Sequence, residues 1–218
     1  IATVYPKFVA LRDDRLLRHA MNLIRPMKSP NVAPDFATAY AALETIVLWH
    51  RRRKGLEYII EKEDEWNALR DRLGKFLKQD PLLTGDKGRR AMIKNKLGEL
   101  RRAPFSAAFE DFCREYSVDL NDLWPVVGKA REMPLSEIRN RIVHGVVFDR
   151  TQIEALHRAG EHLRWTIERM LLAIFGWPVD ESNVRPEMLR IYFAKMNLDN
   201  YRRAMRTVSE SPLPNDSE

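Results

Sequence analysis

The sequence predicts an all-α protein. Apolar residues recur at helical spacing in segment after segment. Alternation of the strand type is almost absent, with only Gly145 to Phe148 resembling a short strand. Prolines and glycines fall mainly between the periodic stretches, where they end or start helices.

The first helix is expected near Asp13 to Ile24, with Leu16, Leu17, Ala20, Leu23 and Ile24 on one face. A proline-rich loop (Pro26, Pro30, Pro34) follows, and Asp35 is placed as the N-cap of a helix to Lys54, closed by Gly55. Its stripe is Phe36, Ala39, Tyr40, Leu43, Ile46, Val47 and His50, with Glu44 beside it. A more polar helix is expected from Glu63 to Leu77, with Trp66, Leu69, Leu73, Phe76 and Leu77 inward. After a turn at Thr84 to Gly88 comes a basic helix over 89–102. Pro104 ends it, and Phe105 to Tyr116 forms a further short helix. Another short helix is placed at Leu120 to Trp124, stopped by Pro125.

Pro134 suits the first position of a helix from Leu135 to His144, with Gly145 just past its end. Thr151 to Glu154 has the form of a capping box, opening the longest helix, to Phe175. Its expected apolar face is Ile153, Leu156, Leu163, Ile167, Met170, Leu171 and Ile174. Pro186 starts a last basic helix to Arg206. The polar tail 207–218 is expected to be disordered. The domain division is then 1–34 as helix and linker, 35–206 as the helical domain, and 207–218 as tail.

A chain of 218 residues with 44% hydrophobic and 31% charged residues can build a core without disulfides or metals. It has one cysteine, Cys113, which excludes an intrachain disulfide and a cysteine zinc site. Cys113 lies among Phe109, Phe112 and Tyr116 and is expected in the core. No apolar run is long enough to span a bilayer, and no signal peptide is visible, which fits a cytoplasmic protein. Lys and Arg number 37 against 31 Asp and Glu, a net charge of +6 that permits a phosphate-rich partner without demanding one. His157 and His162 are wrongly spaced for zinc hydrolysis, and no glycine-rich phosphate loop occurs, so no metal and no cofactor are expected.

The stretch that carries chemistry is Pro134 to Gly145 (PLSEIRNRIVHG). Leu135, Ile138 and Ile142 form its buried edge, and Arg139, Asn140, Arg141 and His144 its polar face. Asn140 and His144 share a side of the helix and can hydrogen-bond. Arg139 and His144 stand about 140° apart on an ideal helix, so they converge on one ligand only across a cleft or near a frayed end. Arg offers a permanent planar charge that suits phosphate, and His exchanges protons near neutral pH. The two are a minimal set for breaking an RNA phosphodiester without metal. The plainer alternative is that Arg139 bridges to a nearby carboxylate and His144 caps its own helix.

Arg139-Asn140, three residues, then His144-Gly145 resembles the R-x4–6-H motif of HEPN domains, in the variant where Asn follows Arg. Tyr40-Ala-Ala-Leu-Glu-Thr-Ile-Val47, the Ile-Val-His-Gly run and the long helix after it are similar to ApeA-like HEPN domains of bacterial anti-phage defence. The resemblance covers roughly Asp35 to Trp177. It implies a HEPN-like helical bundle with flanking helices, acting as a homodimeric, metal-independent endoribonuclease on RNA such as a tRNA loop. Arg139 and His144 would be the catalytic pair and Asn140 their polar supporter. Glu44 is the candidate fourth member from an earlier helix, its alternative being an ion pair with Arg51 or Lys54. An unprotonated His144 would take the 2′-hydroxyl proton, leaving a 2′,3′-cyclic phosphate. The resemblance leaves open a non-catalytic dimerisation or RNA-binding module.

Basic clusters supply the RNA-binding candidates: Arg141 beside the motif, and Arg51, Arg52, Arg53 and Lys54 at a helix end. The 87–102 and 195–206 stretches are similar in charge. Each has the alternative of a solvated basic face. Trp49 and Tyr201 lie near such clusters at spacing that suits packing. The chain starts at Ile1 rather than Met, so a regulatory N-terminal domain is expected ahead of it. A helical DNA-binding regulator would need an exposed recognition helix, and no candidate stands out.

Overall fold

A computed structural model describes residues 4–24, 31–192 and 197–206. Among these residues there are ten α-helices and no strand. The helices are α1 (Val4–Leu11), α2 (Arg15–Leu23), α3 (Val32–Lys54), α4 (Glu63–Gln79), α5 (Lys87–Lys96), α6 (Phe105–Glu115), α7 (Leu135–Val143), α8 (Arg150–Phe175), α9 (Pro186–Tyr192) and α10 (Leu198–Arg206). Among the described residues no helix is long and apolar enough to cross a membrane. Gly145 to Phe148 is irregular rather than extended in a sheet, and among the described residues the only bridge joins Tyr58 to Arg102.

Several boundaries differ from the sequence expectation for local reasons. Helix α1 was not foreseen. Helix α3 starts at Val32, so Asp35 stands in its first turn instead of capping it, where its charge still suits the helix dipole. Residues 120–124 form no helix, with a turn at 121–122. The box that opens α8 is Asp149 with Gln152, not Thr151 with Glu154: Asp149 accepts the Gln152 N–H at 2.9 Å, and Gln152 Oε1 accepts the Asp149 N–H at 2.8 Å. Pro134 is the N-cap of α7 rather than its first residue. The basic C-terminal segment holds two helices, since Asn197 caps α10 by accepting the Asp199 N–H. The Pro26 and Pro30 positions of the expected loop, Lys195, and the expected disordered tail 207–218 lie outside the described residues.

The chain groups into two compact units, residues 1–46 with 112–218, and residues 47–111. The boundaries fall inside α3 and α6. In the first unit α8 is the central element. Leu156, Leu163, Ile167, Met170 and Ile174 are buried along it, and Ala155, Ala159 and Gly160 let neighbours approach closely. Helices α1, α7 and α10 pack against it. Ile153, expected in this core, is 44% exposed. Arg169 is buried on α8 but fully engaged. Its guanidinium forks onto Asp122 at 2.6 and 2.7 Å, and it also donates to the carbonyls of Val184 and Asp119.

The second unit holds α4, α5 and the ends of α3 and α6. Trp66, Leu83, Leu97 and Phe109 are buried there, whereas Phe76, expected inward, is 65% exposed. Arg101 fastens a loop by stacking on Tyr58 and donating to the Ile60 and Glu61 carbonyls. Cys113, expected in the core, is half-buried.

Candidate functional site

Helix α7 is held at both ends by features its sequence dictates. At its start, the Leu135 and Ser136 N–H groups donate to the Pro125 and Val126 carbonyls at 2.8 and 3.0 Å. These are donors that a helix's first turn cannot satisfy within itself. Buried Trp124 fixes that segment, its indole N–H donating to the Met133 carbonyl at 2.8 Å. Leu135 and Ile138 are fully buried, and Ile142 is half-buried.

At its end, Gly145 adopts φ 75°. Its N–H donates to the Ile142 carbonyl at 3.0 Å, and the Val146 N–H donates to the Arg141 carbonyl at 3.0 Å. This pair of bonds is a Schellman closure, and it makes His144 the last half-helical residue. The His144 side chain is exposed and makes no hydrogen bond among the described residues, so it does not cap the helix carbonyls through its ring.

Arg139 points toward α3. Its Nη2 is 3.3 Å from Glu44 Oε1, and its Nη1 is 3.5 Å from the Asn140 side-chain oxygen. The structure thus brings Arg139, Asn140 and Glu44 together, with Arg139 half-buried and Asn140 exposed. The Glu44 partner is Arg139, not Arg51 or Lys54. Asn140 and His144 meet only through the backbone, His144 N–H to Asn140 carbonyl at 2.9 Å.

Tyr40 is the residue that sequence reasoning missed. It lies one turn before Glu44 on α3 and was counted only as part of the apolar stripe. Burial, reinforced by the Glu44 carboxylate, pushes its phenol well above the usual tyrosine range, against a smaller opposite pull from Arg139. The phenol therefore stays protonated beside the pair. The signal was available in the i, i+4 spacing of Tyr40 and Glu44.

The RNA-binding candidates divide by what already holds them. Arg141 donates to the Met205 carbonyl at 2.7 Å and lies 3.4 Å from Glu137, so it ties α7 to α10. Arg51 donates to the Glu57 and Ala103 carbonyls at 3.0 and 2.8 Å, bracing the turn after α3. Arg52 pairs with Glu57, and Arg53 lies over the Trp49 ring at 5.0 Å. Lys54 is exposed. Trp49 is buried, as its spacing suggested, and the Tyr201 hydroxyl donates to Glu154.

Two histidines elsewhere are buried. His50 is buried and bonded to Asp111 at 2.9 Å. His162 accepts the Trp124 backbone N–H on Nδ1 at 3.2 Å, and burial drives its pKa down to about 4, with the Arg169 and Arg158 charges adding to the effect against Asp122. Comparison with known proteins found no matching family model, no matching curated protein and no matching solved structure.

Proposed function

We propose that this chain is a HEPN-type, metal-independent endoribonuclease that works as a homodimer, in anti-phage or toxin-like defence. The observation that carries the reading is the convergence of Glu44, Arg139 and Asn140 at the solvent surface, on the same short helix that presents an unengaged His144. Arg139 contacts both Glu44 and Asn140, and Glu44 comes from a helix far from α7 in the chain.

In this reading His144 takes the proton from an RNA 2′-hydroxyl. The 2′-oxygen attacks phosphorus, the bond to the 5′-oxygen breaks, and that oxygen takes a proton from solvent water as it leaves. Arg139 holds the charge that builds on the phosphoryl oxygens. Glu44 orients Arg139, and the neutral Tyr40 phenol lies behind them. A second copy relaxes the angular separation of Arg139 and His144 by offering each arginine the partner's histidine. Exposed Val143 and Val147, flanking His144 at 60% and 88% exposure, supply apolar surface for that contact. RNA with unpaired nucleotides, such as a tRNA loop, suits a shallow exposed site.

The alternative, a non-catalytic HEPN-type dimerisation or RNA-binding module, is favoured by one observation: Arg139 is already charge-paired with Glu44. The test is RNA cleavage in EDTA by wild type, His144→Ala and Arg139→Ala. Loss of about 100-fold or more in each variant, with 2′,3′-cyclic phosphate ends from the wild type, is the expected result. Equal cleavage by all three, or 3′-hydroxyl ends, removes the assignment.

A further inference from the structure

Residues 47–111 hold 16 Lys and Arg against 11 Asp and Glu, and so five of the chain's six net positive charges. Many of these cations are committed. Arg51, Arg52 and Arg101 serve turns and loops, Lys62 pairs with Glu65, Arg89 with Asp86, and Lys96 with Glu99. Lys78, Arg90 and Lys94 make no ion pair among the described residues, and all three line one cleft between α4 and α5.

The cleft has a volume of about 240 Å³, and Gly74, Leu77 and Ala91 complete its lining. No carboxylate is among its described lining residues. Arg90 and Lys94 are one turn apart on α5, about 6 Å along its axis, and Gly74, Leu77 and Lys78 form the facing ridge of α4. At Gly74 the wall is open, since a Cβ there would meet nothing within 4 Å. A concavity lined by one sign of charge over a low-dielectric floor concentrates counter-ions more than a flat basic face does.

We infer that the α4–α5 cleft is a docking track for the backbone of single-stranded RNA, apart from the Arg139–His144 helix. Lys78, Arg90 and Lys94 meet successive phosphates, and Leu77 and Ala91 support the sugars between them. This rests on the ribonuclease reading for the identity of the polyanion. The charge pattern favours phosphates because the lining carries three cations and no carboxylate, which suits a continuous anion. The cleft holds RNA and takes no part in breaking it.

The experiment uses the full chain carrying His144→Ala, in EDTA, with a fluorescein-labelled 12-nucleotide oligouridylate followed by anisotropy over a salt series. The triple variant Lys78→Gln, Arg90→Gln, Lys94→Gln is expected to weaken binding about tenfold or more and to lower the salt slope by about 2. Gly74→Glu, which adds a carboxylate to the cleft and removes no atom, should weaken binding in the same direction. A control triple, Arg12→Gln, Arg15→Gln, Arg18→Gln, removes equal charge from exposed positions of α2 and the turn before it and should leave the slope unchanged.

Equal losses in both triples, or unchanged binding with Gly74→Glu, overturns the inference. So does a poly-glutamate peptide that binds through the same three residues as tightly as the oligouridylate, because it assigns the cleft to an acidic protein. A chain that cleaves RNA in a His144-dependent way but binds independently of the cleft loses this inference and keeps the nuclease reading. A chain that binds through the cleft and never cleaves does the reverse.

Discussion

Glu44 Oε1 lies 3.3 Å from Arg139 Nη2, joining the middle of α3 to the motif helix α7. Both side chains are about a third or more open to solvent, so the pair contributes little to stability, at most about 1 kcal/mol. Its placement matters for what Arg139 can hold. Glu44→Gln should therefore leave the denaturation midpoint within about 0.5 kcal/mol of wild type and lower RNA cleavage about tenfold or more. Chemical denaturation and a cleavage assay on the same sample check this. A variant that cleaves like wild type reduces the contact to an ordinary surface ion pair.

Gly145 sets where His144 stands. Its φ of 75° is in the left-handed region, where a Cβ costs about 1 to 2 kcal/mol. Open space around it means the penalty is backbone strain and not a clash. Gly145→Ala should destabilise by about 1 kcal/mol in urea titration, and Gly145→Asn by less, since Asn tolerates this conformation. An unchanged midpoint for Gly145→Ala would show that the helix end is formed differently.

His162 gives the fold a specific acid sensitivity. Its folded pKa, about 4, is below the usual value of 6.5, so the fold prefers the neutral ring. Above pH 6.5 both folded and unfolded chains carry it neutral and it contributes no pH dependence. As pH falls from 6.5 toward 4 the unfolded chain takes up the proton first, and stability is lost over that window, on the order of 3 kcal/mol, levelling off below it. Protonation would also cost Nδ1 its role as acceptor for the Trp124 N–H. Stability measured against pH should therefore fall less steeply between 6.5 and 4 in His162→Gln than in wild type. Parallel curves would rule this origin out.

Arg169 tests how a buried charge is held. Asp122→Ala leaves the guanidinium among apolar neighbours with only the Val184 and Asp119 carbonyls, and should cost on the order of 3 kcal/mol. Replacing the cation, Arg169→Met, removes charge and demand together and should be milder. Thermal melts of the two variants decide the order. The reverse order would mean that the fork adds little.

What the sequence determined by itself is what depends on near neighbours. The all-α class, the course of α4, α6 and α8, and the glycine closures at Gly55 and Gly145 follow from helical periodicity and backbone preference, which act within a few residues. The motif stretch was visible because four of its polar residues share one short helix. Tertiary structure alone decided which cations are committed. Arg51 and Arg141 look the same in sequence as Lys78, Arg90 and Lys94, yet the first two are held by carbonyls distant in the chain and the last three are not. It also decided that Phe76 and Ile153 stay exposed despite core-like spacing, and that Glu44 answers Arg139 instead of its own helix neighbours. Hydrogen bonds and ion pairs between distant segments exist only once packing has set those segments side by side, and periodicity carries no record of which side chain will be opposite which.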